Sequence, residues 1–126
     1  MIETGKIAED IAAKCLEKKG YKIIGRNYRR PWGEIDIIGK DKNGLIVFFE
    51  VKAMKSSGTG LVPEDNLTKA KRDKLRKICE QCYLTNQKLF DEKKGWRMDL
   101  IAIDIPDDEE LTKTFKCDNI RYYENI

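Results

Sequence analysis

Residues 33–52, GEIDIIGKDKNGLIVFFEVK, constrain the fold more than any other stretch, because two apolar runs flank a turn signal and both carry ionisable residues at one end. The turn DKNGL admits two registers. A two-residue Asn43-Gly44 turn would set Glu50 opposite Ile37 and Lys52 opposite Ile35, burying ions among aliphatics at roughly several kcal/mol each. A three-residue loop of Lys42, Asn43 and left-handed Gly44 instead sets Asp41 opposite Leu45, Asp36 opposite Glu50 and Glu34 opposite Lys52. This second register avoids the burial cost. It places Ile35, Ile37, Val47, Phe49 and Val51 on one face, and it gathers Glu34, Asp36, Glu50 and Lys52 beyond Ile38, Ile46 and Phe48 on the other.

Carboxylates that face each other repel unless a cation lies between them. A hard divalent ion such as Mg²⁺, or Mn²⁺ in its place, suits the position, since it takes one or two carboxylates together with water and phosphate oxygens. Lys52 would then point at the same water or phosphate oxygen. The plainer alternative is a solvated polar rim in which Lys52 neutralises Glu34; short E-x-D and E-x-K patterns often mean no more than that.

Composition narrows the chemistry. The chain contains no histidine, which excludes serine-histidine triads, histidine bases and histidine metal sites. Its 126 residues, 40% hydrophobic and 37% charged, suit one compact domain with a modest core. The net charge of +3 is spread unevenly: KAKRDKLRK at 69–77 holds six basic residues against one acidic, and residues 18–30 are also basic. The region from Met98 onward is acidic. Neither MIETGKIAEDIAAKCLEKKG nor LIVFF resembles a leader or a bilayer span, so a cytoplasmic location without membrane association is expected. In that compartment Cys15, Cys79, Cys82 and Cys117 need not form a disulfide framework.

The element pattern reads as an α/β (α+β) domain, with a central sheet flanked by helices. Thr4 caps a helix that runs to about Lys19, with Gly20 as its stop. YKIIGRNYR is a strand ended by Pro31, and strands follow near 33–41 and 45–53. Residues 54–66 form a Ser/Gly/Pro loop, 67–85 a helix and 96–105 an apolar strand, with a last strand in NIRYYENI. Residues 1–105 form the domain, and 106–126 are an extension of it.

The second helix carries Leu75, Ile78, Cys79, Cys82 and Tyr83 on one stripe, with Lys71 one turn before Leu75 on the same side. Lys71 therefore either snorkels or contacts a phosphate. Lys69, Arg72 and Arg76 lie on other faces and, with Arg29, are candidates to grip backbone phosphates without reading sequence. Cys79-x-x-Cys82 lies inside the apolar stripe with no second ligand pair, which argues against zinc or redox chemistry. Gly58 and Gly60 lack the Lys-Ser/Thr of a nucleotide loop. Tyr28, Trp32 and Trp96 read as core or rim aromatics before they read as base-stacking platforms.

Asp36 followed by Glu50-Val51-Lys52 on the next strand resembles the PD-(D/E)xK arrangement of restriction-endonuclease-like nucleases. More closely, the chain resembles the bacterial YraN family, through Gly5 with Glu9, Asn27 to Arg29, Gly33 to Ile38, Val47 to Lys52, Lys71 with Leu75, and Asp99 to Ile103. It departs from that pattern at Ala8, where glycine is usual, and at Met54, where arginine is common. The resemblance implies a restriction-endonuclease-like core in which Asp36, Glu50 and the Val51 carbonyl hold Mg²⁺ or Mn²⁺. Lys52 would orient the attacking water or stabilise the charged transition state, and Glu34 would be a neighbouring acid. Glu9 would be a further active-site acid; its alternative is a surface glutamate at the edge of the first helix's apolar stripe. The expected activity is metal-dependent phosphodiester hydrolysis on nucleic acid, DNA foremost and branched DNA among its forms, with a homodimer suited to a symmetric duplex. The alternative is a catalytically silent nucleic-acid-binding or protein-interaction module on the same fold.

Overall fold

The computed structural model describes residues 4–55, 67–90, 94–105 and 116–126. Helix α1 (Thr4–Lys18) is followed by strands β1 (Lys22–Arg30), β2 (Gly33–Lys40) and β3 (Ile46–Lys55), helix α2 (Lys69–Thr85), and strands β4 (Trp96–Ile105) and β5 (Ile120–Tyr123). A 3-10 turn, Cys117–Asn119, leads into β5. Of the loop expected at 54–66, residues 54 and 55 belong to the end of β3, and 56–66, with Gly58 and Gly60, lie outside the described residues, as do 106–115.

The strands form one mixed sheet in the order β1-β2-β3-β4-β5. β1, β2 and β3 make an antiparallel meander; β3 and β4 are parallel with α2 between them in sequence, and β5 returns antiparallel to β4. The architecture is thus an α+β sheet flanked by two helices, as the element pattern predicts. A parallel pair needs a crossover, and α2 supplies it.

Each helix covers one face. Ala8, Ala12, Cys15 and Leu16 of α1 pack with Ile37, Val47, Phe49, Ile101 and Ile103. Leu75, Ile78, Cys79, Cys82 and Tyr83 of α2 pack with Ile35, Ile38, Ile46, Phe48 and Met98 on the other side. The five buried residues of α2 are the stripe read from its sequence. Local signals set the helix ends. Gly20 takes φ +101° and Tyr21 N donates to Leu16 O, closing α1 in the left-handed turn that glycine permits. Thr68 caps α2, its hydroxyl accepting from Lys71 N at 3.2 Å.

The hairpin has the three-residue register: Lys40 pairs with Ile46, Ile37 pairs with Phe49, Asp41 N donates to Leu45 O, and Gly44 adopts φ +91°. Two expectations need correction. Ile35 packs in the α2 cluster while Ile37 packs in the α1 cluster, so alternation breaks at Asp36. The reason lies in the pairing. The β2–β3 ladder stops at Ile37 and Phe49, and in the next rung the Val51 amide donates to the Asp36 side chain at 2.7 Å. The cysteines are not all thiols either: Cys15 and Cys117 form a disulfide, their Cα atoms 5.5 Å apart, tying α1 to the turn before β5. Compartment alone gave no need for a disulfide framework, whereas the fold brings these two positions together over 102 residues of sequence. Cys79 and Cys82 are free and buried.

Candidate active site

The acids of the hairpin are placed by the break in β2. Asp36 is only 7% exposed, and one of its oxygens is occupied by the Val51 amide. Burial, then the charge of Glu50, raises its pKa to about 8, against the lowering effect of that amide; Glu9 and Glu34 add to the rise. Glu50 is raised as well, first by burial, with Lys52 opposing. The Lys52 ammonium lies 3.2 Å from Glu50 Oε1. The charge of Glu50 thus holds the proton affinity of Asp36 up, whereas the Asp36 side chain, by hydrogen bonding to Glu50, lowers that of Glu50. In this state the pair favours keeping a proton or gaining a cation.

Lys52 does not face Glu34, as the register alone suggests. Side chains two apart on a strand share a face, and Lys52 turns to Glu50 while Arg29 Nε takes Glu34 Oε2 at 3.0 Å. Arg29, read as a phosphate contact, is therefore paired with an acid of the site. Glu9 projects from α1 towards the same group. Its pKa is raised chiefly by burial, with Arg26 lowering and Glu34 raising it, and its Oε1 is buried without a hydrogen-bond partner.

A cavity of about 250 Å³ opens over Asp36, Glu50 and Lys52 and is roofed by the start of α2, which contributes Lys71, Lys74 and Ile78. Its wall is close because Gly33 carries no side chain: a Cβ there would meet Ile78 Cδ1 at 2.2 Å, and the residue takes φ +150°. Sequence reasoning named Lys71 but missed Lys74, which stands one helical turn along; the i, i+3 spacing from Lys71 is the signal that could have found it. Lys69 pairs with Asp73 at 3.5 Å, and the Arg72 amide donates to Thr68 O. Arg76 donates to the Ile126 main-chain oxygen, away from the acids. The structure thus brings together Glu9, Glu34, Asp36, Glu50, Lys52 and Lys71, and it leaves Lys69, Arg72 and Arg76 outside the cavity.

Asp99, in the motif segment 99–103, has a different task. It is 4% exposed, receives Arg97 Nε on both oxygens and accepts the Asn125 amide at 2.9 Å, so it ties β4 to the residues after β5.

Among the described residues no group of three or more His, Cys, Asp or Glu side chains is arranged to hold a metal ion. The donors that do meet are hard oxygens, two carboxylates whose proton affinity is raised chiefly by burial, and this fits a magnesium-class ion that takes only one or two protein carboxylates.

Fold and site define an α+β protein with a neighbouring pair of acids, one buried and one partly buried, an adjacent lysine and a basic helix end above them. The profile of the uncharacterised protein family UPF0102 matches residues 8–103. The UPF0102 protein of Thermodesulfovibrio yellowstonii is 40% identical over 114 residues, covering 90% of this chain and 96% of the relative. That of Desulforamulus reducens is 37% identical over 99 residues, 79% of each chain. That of a Sulfurihydrogenibium species is 40% identical over 103 residues, 80% of this chain and 84% of the relative. The chain belongs to the uncharacterised protein family UPF0102, the YraN family. No helix among the described residues is long and apolar enough to cross a membrane.

Proposed function

We propose that this protein is a divalent-metal-dependent nuclease of the restriction-endonuclease-like type, hydrolysing phosphodiesters in nucleic acid. The observation that carries the reading is the meeting of buried Asp36 and partly buried Glu50, both raised in pKa, beside Lys52 at the floor of a cavity whose roof is basic. Mg²⁺ or Mn²⁺ held by Asp36, Glu50 and the Val51 carbonyl would supply Lewis acidity to a phosphate oxygen and lower the pKa of a water. The chain's own residues do the rest. Burial keeps bulk water from screening the acids, so once a cation displaces their protons their charge acts on it more strongly than it would at an exposed site. The Lys52 ammonium, once its partner Glu50 is engaged elsewhere, is the nearest cation to meet charge developing on a phosphoryl oxygen. Glu9 and Glu34, at the rim, raise the proton affinity of Asp36 and are placed to accept a proton there. Lys71 and Lys74 offer charge to the scissile strand's phosphates from above.

The test is a cleavage screen across branched, nicked, single-stranded and duplex DNA and RNA with Mg²⁺ or Mn²⁺. The reading expects cutting of at least one form, lost in Glu50→Ala and Lys52→Ala with binding retained. A wild-type protein that binds nucleic acid and cuts none of these forms with either metal would make it a silent binding module instead.

A further inference from the structure

Two more hollows continue outward from the acid cavity, the first adjoining it and the second adjoining the first. The first, of about 730 Å³, lies between the start of α1 and β1 and shares Glu34 with the acid cavity. The second, of about 540 Å³, shares Arg26, Asn27 and Arg29 with the first and runs along β1, an edge strand of the sheet. Its lining is of two kinds. Ile38 and Phe90 are apolar and buried, and they are extended by Ile24, 38% exposed, and Leu89, 72% exposed. Around them stand Lys22, Arg26, Arg29, Arg30 and Lys40, and among the described residues no acidic side chain lines the cleft.

We propose that this cleft binds single-stranded nucleic acid and leads one strand towards Asp36 and Glu50; the destination rests on the nuclease reading, whereas the binding does not. A ligand that complements both surfaces must carry repeated negative charge and apolar faces on one flexible chain. An unpaired polynucleotide does so, with phosphates for the rim and base faces for the floor. A duplex buries its base faces in its own stack and would leave Ile24 and Leu89 uncovered. A polypeptide strand is a poor fit for this edge. The β1–β2 register slips between Ile23 and Gly25, and Asn27 sits at φ +52°, so β1 offers no regular row of hydrogen-bonding groups. Arg26 is paired with Asp10 and Arg29 with Glu34, but both pairs are open to solvent and exchange readily for phosphate. Arg30 already lies over the Tyr28 ring, 4.1 Å from its centroid, a platform of the kind on which a base can stack.

The experiment is fluorescence anisotropy with a labelled oligothymidine and a duplex of equal length, in EDTA so that cutting plays no part. The single strand should bind at least about tenfold tighter, and Leu89→Ser with Ile24→Ser should weaken it about fivefold or more while duplex binding stays the same. Lys22→Ala with Lys40→Ala should reduce the salt slope for the single strand by about 1.4. Leu89→Ser alone decides the matter if Ile24→Ser shifts the thermal midpoint. Equal affinity for both forms, an unaffected Leu89→Ser variant, or displacement by polyglutamate as readily as by oligothymidine would overturn the proposal. Metal-dependent cutting without strand preference overturns this inference and leaves the nuclease reading standing. Single-strand binding without any cutting does the reverse.

Discussion

At the residue scale, Asp36 sets the pH behaviour. Its pKa rises from 3.8 to about 8 on folding, so between those values the folded chain keeps a proton that the unfolded chain releases. The unfolded state then binds fewer protons, and stability falls as pH rises from about 4 to about 8, then levels. This is opposite in sign to a salt-bridged aspartate, and Glu50, also raised, contributes in the same direction. Urea titrations across that range should show Asp36→Asn more stable than wild type at pH 8, with the difference closing near pH 4. A wild-type curve that climbs with pH would contradict the burial argument. Lys52→Ala removes the cation that lowers Glu50's proton affinity. It should cut cleavage by about a hundredfold or more while leaving oligonucleotide binding nearly intact, measured as kcat against Kd. Gly33→Ala must displace Ile78 and hold a strained φ, so a loss of about 1–3 kcal/mol in urea denaturation is expected.

At the element scale, α2 delivers Lys71 and Lys74 to the cavity and is anchored at that end by Thr68. Thr68→Ala should cost about 1 kcal/mol in chemical denaturation, and it should weaken phosphate binding more than a substitution late in the helix. The helix stripe, the strand at 96–105 and the hairpin register were legible, because periodicity and the cost of buried charge each leave one acceptable solution. The break at Asp36 was not. Strict alternation assumes that main-chain groups complete every rung, and here a side chain takes the Val51 amide in the rung after the last paired one. The turn of Lys52 towards Glu50 escaped for a related reason: facing positions say which residues are near, while rotamers decide which of two acids an ammonium meets. Thiol titration of denatured, unreduced protein should count two free cysteines, Cys79 and Cys82, because Cys15 and Cys117 are bonded to each other. A count of four would remove that tie between α1 and β5.

At the scale of the whole molecule, charge is organised around one end of the sheet. The acids lie at the floor, α2 lysines stand above them, and the β1 arginines continue the cationic surface outward. Net charge read from the sequence could not show this, since Arg29 meets Glu34 at the edge of the cavity that Lys71 and Lys74 line only after the sheet is assembled. Asp99 illustrates the converse. It belongs to the family pattern, yet in the structure it is paired with Arg97 and the Asn125 amide, which makes it a tie for the chain's end. If Asp36 and Glu50 form one cation site, Mn²⁺ titration by calorimetry in two buffers of different ionisation enthalpy at pH 7 should register it directly. One bound ion is predicted, with net proton release and an affinity that rises with pH up to about 8, lost in both Asp36→Asn and Glu50→Gln. Binding that persists unchanged in Asp36→Asn, or no binding to the wild type at all, would contradict it.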